Sequence, residues 1–303
     1  MKSSAGYYLE ADCFDLIRIS GPDAARFLQG QLTCDVNALE PESSTFGAVC
    51  TNKGRVVATF TICRIKEEFV MMLAKGLAEP LLAHLAKFLP FYKCSMIRVD
   101  GTLTGLSFSA GHESGVPLPP DQKMQILAPE SGWICSIPGA GTRVIHYGHP
   151  GESSPWLQEA ISGLSPAPCS AWMIEDMQAG IFPFTPLDID RYTPQELHLD
   201  RSGFINFNKG CYTGQEIVAR MHYKSKPKKQ LYLLTIANCP AGTLPDGFGV
   251  FSSDDQEVGT ALRMIEAEQD TVFAIVQLPV LAEAGATTLK TGSGHQIRPR
   301  VLV

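Results

Sequence analysis

Apolar and polar positions change period several times within the first ninety residues. Phe14-Asp15-Leu16-Ile17-Arg18-Ile19-Ser20 alternates well enough for a strand. Gly21-Pro22 breaks it. Ser20 or Gly21 is placed to cap a helix with Pro22 near its first position, and Ala24, Phe27, Leu28 and Leu32 fall on one face of that helix. Residues 48–49 and 55–64 read as two strands joined by the polar turn Asn52-Lys53-Gly54. Phe69-Val70-Met71-Met72-Leu73 reads as a buried strand. Leu77, Leu81, Leu82, Leu85 and Phe88 then recur at helical spacing up to Pro90, which ends the run.

Further on, residues 111–120 are rich in Gly and Pro and predict an exposed loop, as does the stretch from Gly148 to Pro155. An amphipathic segment begins at Trp156, and another helix runs from Ala171 to Ala179, with Gly180 ending it. From Gln230 onward short apolar runs (231–236, 247–251, 272–276 and 300–303) alternate with Gly, Pro and Asp turns, the texture of a small all-β domain of barrel type. Strands and helices mix without regular alternation, which predicts an α+β fold. The domains are expected at 1–228, an α+β region of two intertwined subdomains, and 229–303, a β-barrel, with the hinge at Lys224-Ser225-Lys226-Pro227-Lys228-Lys229.

Composition narrows the function classes. Of 303 residues, 45% are apolar and 18% charged, so the chain reads as globular. A net charge of −6 argues against a general nucleic-acid surface, and direct nucleic-acid binding is not expected. Residues 1–8 lack the apolar core of a targeting segment, and no stretch has the length to span a bilayer, so no membrane association and a cytoplasmic location are expected. Nine cysteines stand at 13, 34, 50, 63, 94, 135, 169, 211 and 239, with no CxxC pair and no zinc-finger spacing. They predict free thiols in a reducing compartment and no metal site. The seven histidines show no metal pattern.

One segment carries candidate chemistry. In Thr213-Gly214-Gln215-Glu216 the Thr and Glu stand at the spacing of a capping box, and Ile217 to Met221 suit a short helix. Glu216 therefore has two readings, a cap for its own helix or a ligand contact. Cys211 precedes that helix with Lys209 close by, a setting that lowers a thiol pKa. Gly210 and Gly214 permit a turn that presents the sulfur to solvent. The alternative is a buried, inert cysteine.

Lys209-Gly210-Cys211-Tyr212-Thr213-Gly214-Gln215-Glu216 matches the Lys-Gly-Cys-Tyr-x-Gly-Gln-Glu motif and resembles the YgfZ family of folate-binding proteins, relatives of the glycine-cleavage T-protein. Pro194-Gln195 and Leu199 resemble the family's Pro-Gln-x-x-Asn-Leu element, with His198 in place of Asn. Gly203-Phe204-Ile205-Asn206-Phe207, Val218-Ala219-Arg220, Gly21-Pro22-Asp23, Phe27 through Val36 and Lys53-Gly54-Arg55 extend the likeness over most of residues 14 to 236.

The resemblance implies a T-protein-like folate-binding region made from discontinuous segments and a C-terminal β-barrel. It also implies tetrahydrofolate as bound ligand, and iron–sulfur enzymes or their assembly factors as partners, one of them modifying tRNA. Cys211 is then the reactive thiol, and Phe14, Trp172, Lys209, Tyr212, Gln215 and Glu216 are the folate contacts. Trp172 and Phe14 suit stacking on a pterin; each also reads as core packing. The resemblance points to an accessory role rather than a conventional enzyme. An aminomethyltransferase would need an acid in the strand after the hairpin, and residues 54–61 hold no Asp or Glu. The basic run Arg220, Lys224, Lys226, Lys228 and Lys229 reads as a solvated linker, or as a surface for folate's glutamate tail, an acidic partner or an RNA backbone.

Overall fold

The computed structural model describes residues 5–109, 126–127, 132–138, 141–148, 155–224, 227–280 and 288–302. The loops expected at 111–120 and after Gly148, and part of the hinge, lie outside the described residues. The chain forms two compact units. The first comprises Met1–Cys169, Phe184–Thr193 and Gly203–Ala219; the second comprises Ser170–Pro183, Pro194–Ser202 and Arg220–Val303.

Two sheets build the first unit. One has the spatial order Ser165–Pro166, Gly6–Glu10, Thr102–Phe108, Thr142–Gly148, Gly132–Ile137, Ile126–Leu127. The other has the order Ser43–Cys50, Val56–Ile65, Glu68–Ala74, Phe14–Ser20, Ser95–Val99. In this second sheet every pairing is antiparallel, and Ile17, Ala48, Ile62 and Met71 are fully enclosed. The helix Ala78–Ala86 buries Ala78, Leu81 and Leu85, and Pro90 sits in the following 3-10 turn Leu89–Phe91, where the helix stops. Leu106, Phe108, Ile134 and Val144 of the first sheet form an apolar cluster on which Trp156, Leu157 and Ile161 of the helix Pro155–Ile161 pack.

The helix after Gly21-Pro22 is shorter than its apolar face suggests, covering Ala24–Gln29. Leu32 lies beyond its end, buried and bridged to Val49, so the chain leaves the helix and runs alongside the sheet before Asp35.

In the second unit a curled antiparallel sheet of seven strands has the order Gln296–Ile297, Leu289–Thr291, Gly249–Phe251, Glu257–Ala267, Thr271–Pro279, Lys229–Ile236, Arg300–Val301. Tyr232, Leu234, Ile236, Val250, Ala274 and Val276 are core residues of this sheet. Leu231 and Leu233 are buried as well, so Lys229–Ile236 is covered on both faces. The architecture is α+β, as expected, with a barrel-like sheet at the C-terminal end.

Candidate functional site

Three segments far apart in sequence converge in the first unit: residues 29–36 after the first helix, the hairpin at 51–55, and residues 204–216. Thr33, wholly buried, ties the first to the third and to the strand Ser43–Cys50 that leads into the hairpin. Its N–H donates to Ala48 O at 3.0 Å and its carbonyl accepts from Asn206 N at 3.0 Å. Its hydroxyl donates to Phe204 O at 2.7 Å and accepts from Ala48 N at 2.8 Å. Phe46 and Phe204 stack at 4.6 Å beside it. Each polar atom of Thr33 is thereby satisfied, as burial requires.

Lys209 also ties the first segment to the third. Its ammonium donates to the carbonyls of Gln29, Leu32 and Cys34 at 2.8, 2.7 and 2.8 Å, and sits 5.2 Å from the Tyr212 ring centroid. Burial pulls its pKa down to about 8, against the pull of Cys34 and Asp35 in the other direction. The ammonium has three N–H groups and all three are taken. Lys209 was expected to contact folate; in this arrangement it has no donor left for a ligand and instead fixes the loop at 29–34 to the segment carrying Cys211. Gln29 steadies that loop, donating to Asp35 and accepting from the N–H of Val36 and Asn37.

The capping box expected at Thr213 and Glu216 is not what begins the next helix. That helix is Gln215–Lys224, and Gly214 O accepts its first bond, from Val218 N at 3.2 Å. Thr213 turns the other way: its hydroxyl donates to Gln31 Oε1 at 3.1 Å and its N–H to Gly30 O at 3.2 Å. A tertiary partner has displaced the local cap. Gly214 has φ +86, and a Cβ there would collide with Thr51 O. Gly54, at φ +70, faces it across the hairpin, where a Cβ would stand 2.9 Å from Ile217. Both glycines are needed because hairpin and helix start approach backbone to backbone.

This frame presents Cys211. Of seven free cysteines it is the exposed one. Tyr212, next to it, is buried, and burial with the nearby Cys50 thiol raises its pKa. Gln215 is half-buried and Glu216 exposed, both in the first turn of the helix. Lys209, Cys211, Tyr212, Gln215 and Glu216 are therefore grouped, with Cys211 and Glu216 open to solvent. Arg220, Lys224, Lys228 and Lys229 are exposed.

Phe14 lies elsewhere in the first unit. Half-exposed, it lines a cleft of about 330 Å³ with Asp12, Asp15, Lys75 and Arg98. Arg98 pairs with the buried Asp15 at 3.1 Å. Trp172 belongs to the second unit, on the helix Cys169–Gln178, and is only 1% exposed.

The expectation of nine free thiols needs correction. Cys13 and Cys169 form a disulfide with a Cα–Cα distance of 6.3 Å. The partners are 156 residues apart, and nothing in local spacing marks them. They meet because Ser165–Pro166 pairs in parallel with Tyr7 and Tyr8, which brings Cys169 beside the turn after Gly6–Glu10. Among the described residues no group of three or more His, Cys, Asp or Glu side chains is arranged to hold a metal ion.

His198, the departure from the family's Asn, has φ +57, a left-handed conformation that Asn and His both tolerate better than most residues. Within the second unit its Nδ1 lies 2.9 Å from Leu302 O, and its Nε2 accepts from Leu231 N at 3.0 Å. Burial lowers its pKa, in keeping with a neutral ring that donates from Nδ1. Sequence reasoning did not foresee the bracing roles of Gln29, Gln31 and Thr33; the signal available for them was the likeness of residues 27–36 to the family's first helix.

Residues 2–110 match the GCVT N-terminal domain family. Over 232 residues the chain is 29% identical to the tRNA-modifying protein YgfZ of Colwellia psychrerythraea, covering 75% of this chain and 71% of that one. It is 28% identical over 223 residues to the protein of the same name from Edwardsiella ictaluri, covering 72% and 67%. The Escherichia coli O157:H7 protein is 27% identical over 291 residues, covering 88% and 83%. Among solved structures, the glycine cleavage system aminomethyltransferase T of Bartonella henselae superposes with a TM-score of 0.78 at 19% identity, covering 99% of this chain and 86% of that one.

Proposed function

We propose, from the premise that this chain is a relative of the YgfZ proteins built on the glycine-cleavage T-protein fold, that it is a tetrahydrofolate-binding accessory protein. In this reading it supports assembly or repair of iron–sulfur enzymes, including one that modifies tRNA, with Cys211 as the working thiol. The observation that carries the reading is the exposure of Cys211, alone among the free cysteines, on a segment anchored by Lys209 and by the Gly54–Gly214 contact. A thiolate is the ordinary ligand of iron–sulfur species, and one cysteine needs a partner's ligands to complete a site.

The residues present suit tetrahydrofolate. Glu216 and Gln215, beside Cys211, offer acceptors to the amino-pyrimidinone edge of a pterin, and Phe14 offers a half-open ring for stacking in a separate cleft whose Arg98 and Lys75 are already faced by Asp15 and Asp12. Trp172, enclosed within the second unit, packs there, while Tyr212 and Lys209 act by holding the segment. The bound folate supplies a one-carbon carrier; the chain's own part is to hold it and to present the Cys211 sulfur. An aminomethyltransferase reading has against it the strand Val56–Ile65, which has no carboxylate.

Isothermal titration with tetrahydrofolate tests the proposal. Saturable heat at micromolar ligand, weakened by Glu216→Ala, is the expected result. No heat at high micromolar ligand would leave a scaffold role without folate.

A further inference from the structure

In the interior of the first unit three small polar side chains from its two sheets meet, with the buried Arg143 and Thr61 on the same sheet faces. Cys63, on Val56–Ile65, and Cys135, on Gly132–Ile137, bring their sulfurs to 3.8 Å. Ser44, directly opposite Cys63 in the strand register, places its hydroxyl 3.2 Å from the Cys135 sulfur. All three are buried, with the two cysteines at 1% and 0% exposure. A cysteine that serves only as a small hydrophobe needs no partner, yet here the Cys135 sulfur accepts from Cys63, shares a hydrogen bond with the Ser44 hydroxyl and donates to Ser136 O at 3.5 Å. The hydrogen bond with Cys63 lowers the Cys135 pKa, against burial and helped by Ser44, while the same bond, with burial, raises that of Cys63. Cys34 and Cys50 contrast with this pair: burial pushes each up to about 12, in Cys34 against the pull of Lys209 and a backbone hydrogen bond.

The pair is also close to an entrance. Ser44 is part of the lining of an open cleft of about 1070 Å³, together with Asp35, Ser43, Thr45, Asn206 and Phe207. A molecule that reaches Ser44 stands one side chain away from Cys135.

We propose that Cys135 and Cys63 are an oxidisable dithiol, in which a small hydroperoxide entering by the Ser44 cleft oxidises Cys135 and Cys63 resolves the product as a disulfide between the two sheets. In the first step the Cys135 sulfur attacks one peroxide oxygen and the O–O bond breaks. The departing oxygen takes the proton of the Cys135 thiol and leaves as water, or as an alcohol from an organic hydroperoxide, and Cys135 becomes a sulfenic acid. The Cys63 sulfur then attacks the sulfenyl sulfur, the S–O bond breaks, and the hydroxide leaves with the Cys63 proton as water. Two thiols lose two electrons and the peroxide gains them. The sulfurs must close by about 1.8 Å to reach bonding distance, a movement within the reach of side-chain rotation and small strand shifts.

The test is peptide mapping of the whole protein after hydrogen peroxide treatment, in a Cys211→Ser background that removes the exposed thiol, with alkylation after denaturation. The expected result is a cross-linked peptide pair containing Cys63 and Cys135, beside the unchanged Cys13–Cys169 pair. In Cys63→Ser the cross-link is lost and dimedone labels Cys135 as the trapped sulfenic acid. Ser44→Ala slows cross-linking about two- to tenfold, the rate equivalent of one hydrogen bond. Recovery of Cys63 and Cys135 both as free thiols, or a cross-link from either to any other cysteine, overturns the proposal. Should a variant fail to fold, mapping of the wild-type protein alone decides between these outcomes.

Discussion

The segment at 209–216 and the curled sheet of the second unit are held by opposite means. Around Lys209 and Thr33 the joints are single atoms: one ammonium on three carbonyls, one hydroxyl between a strand and the segment at Phe204, and two glycines where any Cβ would intrude. In the sheet the joints are volumes, with Tyr232, Leu234, Ile236, Val250 and Val276 filling one apolar interior. His198 adds a polar joint there, a neutral ring tying Leu231 to Leu302. Volumes tolerate replacement by similar volumes, whereas a buried polar joint tolerates no replacement that leaves a partner unpaired. The exposed sulfur of Cys211 sits on a segment held by the second kind of joint.

Substitutions that respect volume and remove polarity separate the two regions most sharply. Lys209→Met keeps the aliphatic stem and leaves three carbonyls without the ammonium; a loss of about 3–5 kcal/mol in chemical denaturation is expected. A cost under about 1 kcal/mol would mean that the region is held by volume after all. The same two proteins show the sign of the titration. With Lys209 near 8 in the folded chain and 10.5 unfolded, the unfolded chain binds more protons between those values. The cost of burying the charge is present in full below pH 8 and is relieved as pH rises toward 10.5. Wild type should therefore gain on Lys209→Met across that window.

Gly214→Ala comes next, with about 2–3 kcal/mol expected from the positive φ and the collision with the Thr51 carbonyl. Proteolytic nicking of the 209–216 segment should increase with it. Leu234→Met in the curled sheet is the mild case, under about 1.5 kcal/mol by thermal unfolding. A larger loss there than at Gly214 would erase the distinction between the regions.

The same contrast explains what could be read before the structure. Strands made of volumes announce themselves, so Phe14–Ser20, Glu68–Ala74 and Lys229–Ile236 follow from their apolar patterns. Thr102–Phe108 and Glu257–Ala267 did not, because Gly, Thr and charged residues interrupt their alternation. Polar joints leave no period in a sequence. Nothing local says that Thr213 turns to Gln31 rather than capping its own helix, that Lys209 reaches back to Leu32, or that Cys13 meets Cys169. Only the likeness of 27–36, 53–55 and 209–216 to one family hinted that those segments belong together, and the structure supplies the reason in hydrogen bonds and close glycine contacts.

Cys211→Ser, expressed in cells that lack their own copy of the protein, puts the role of the exposed sulfur to the most direct test. The serine variant should melt with wild type, to within about 0.5 kcal/mol of its stability, because an exposed sulfur contributes little to packing. It should still bind tetrahydrofolate, yet fail to restore the activity of iron–sulfur enzymes. Full restoration by Cys211→Ser would contradict the assignment of Cys211 as the working thiol.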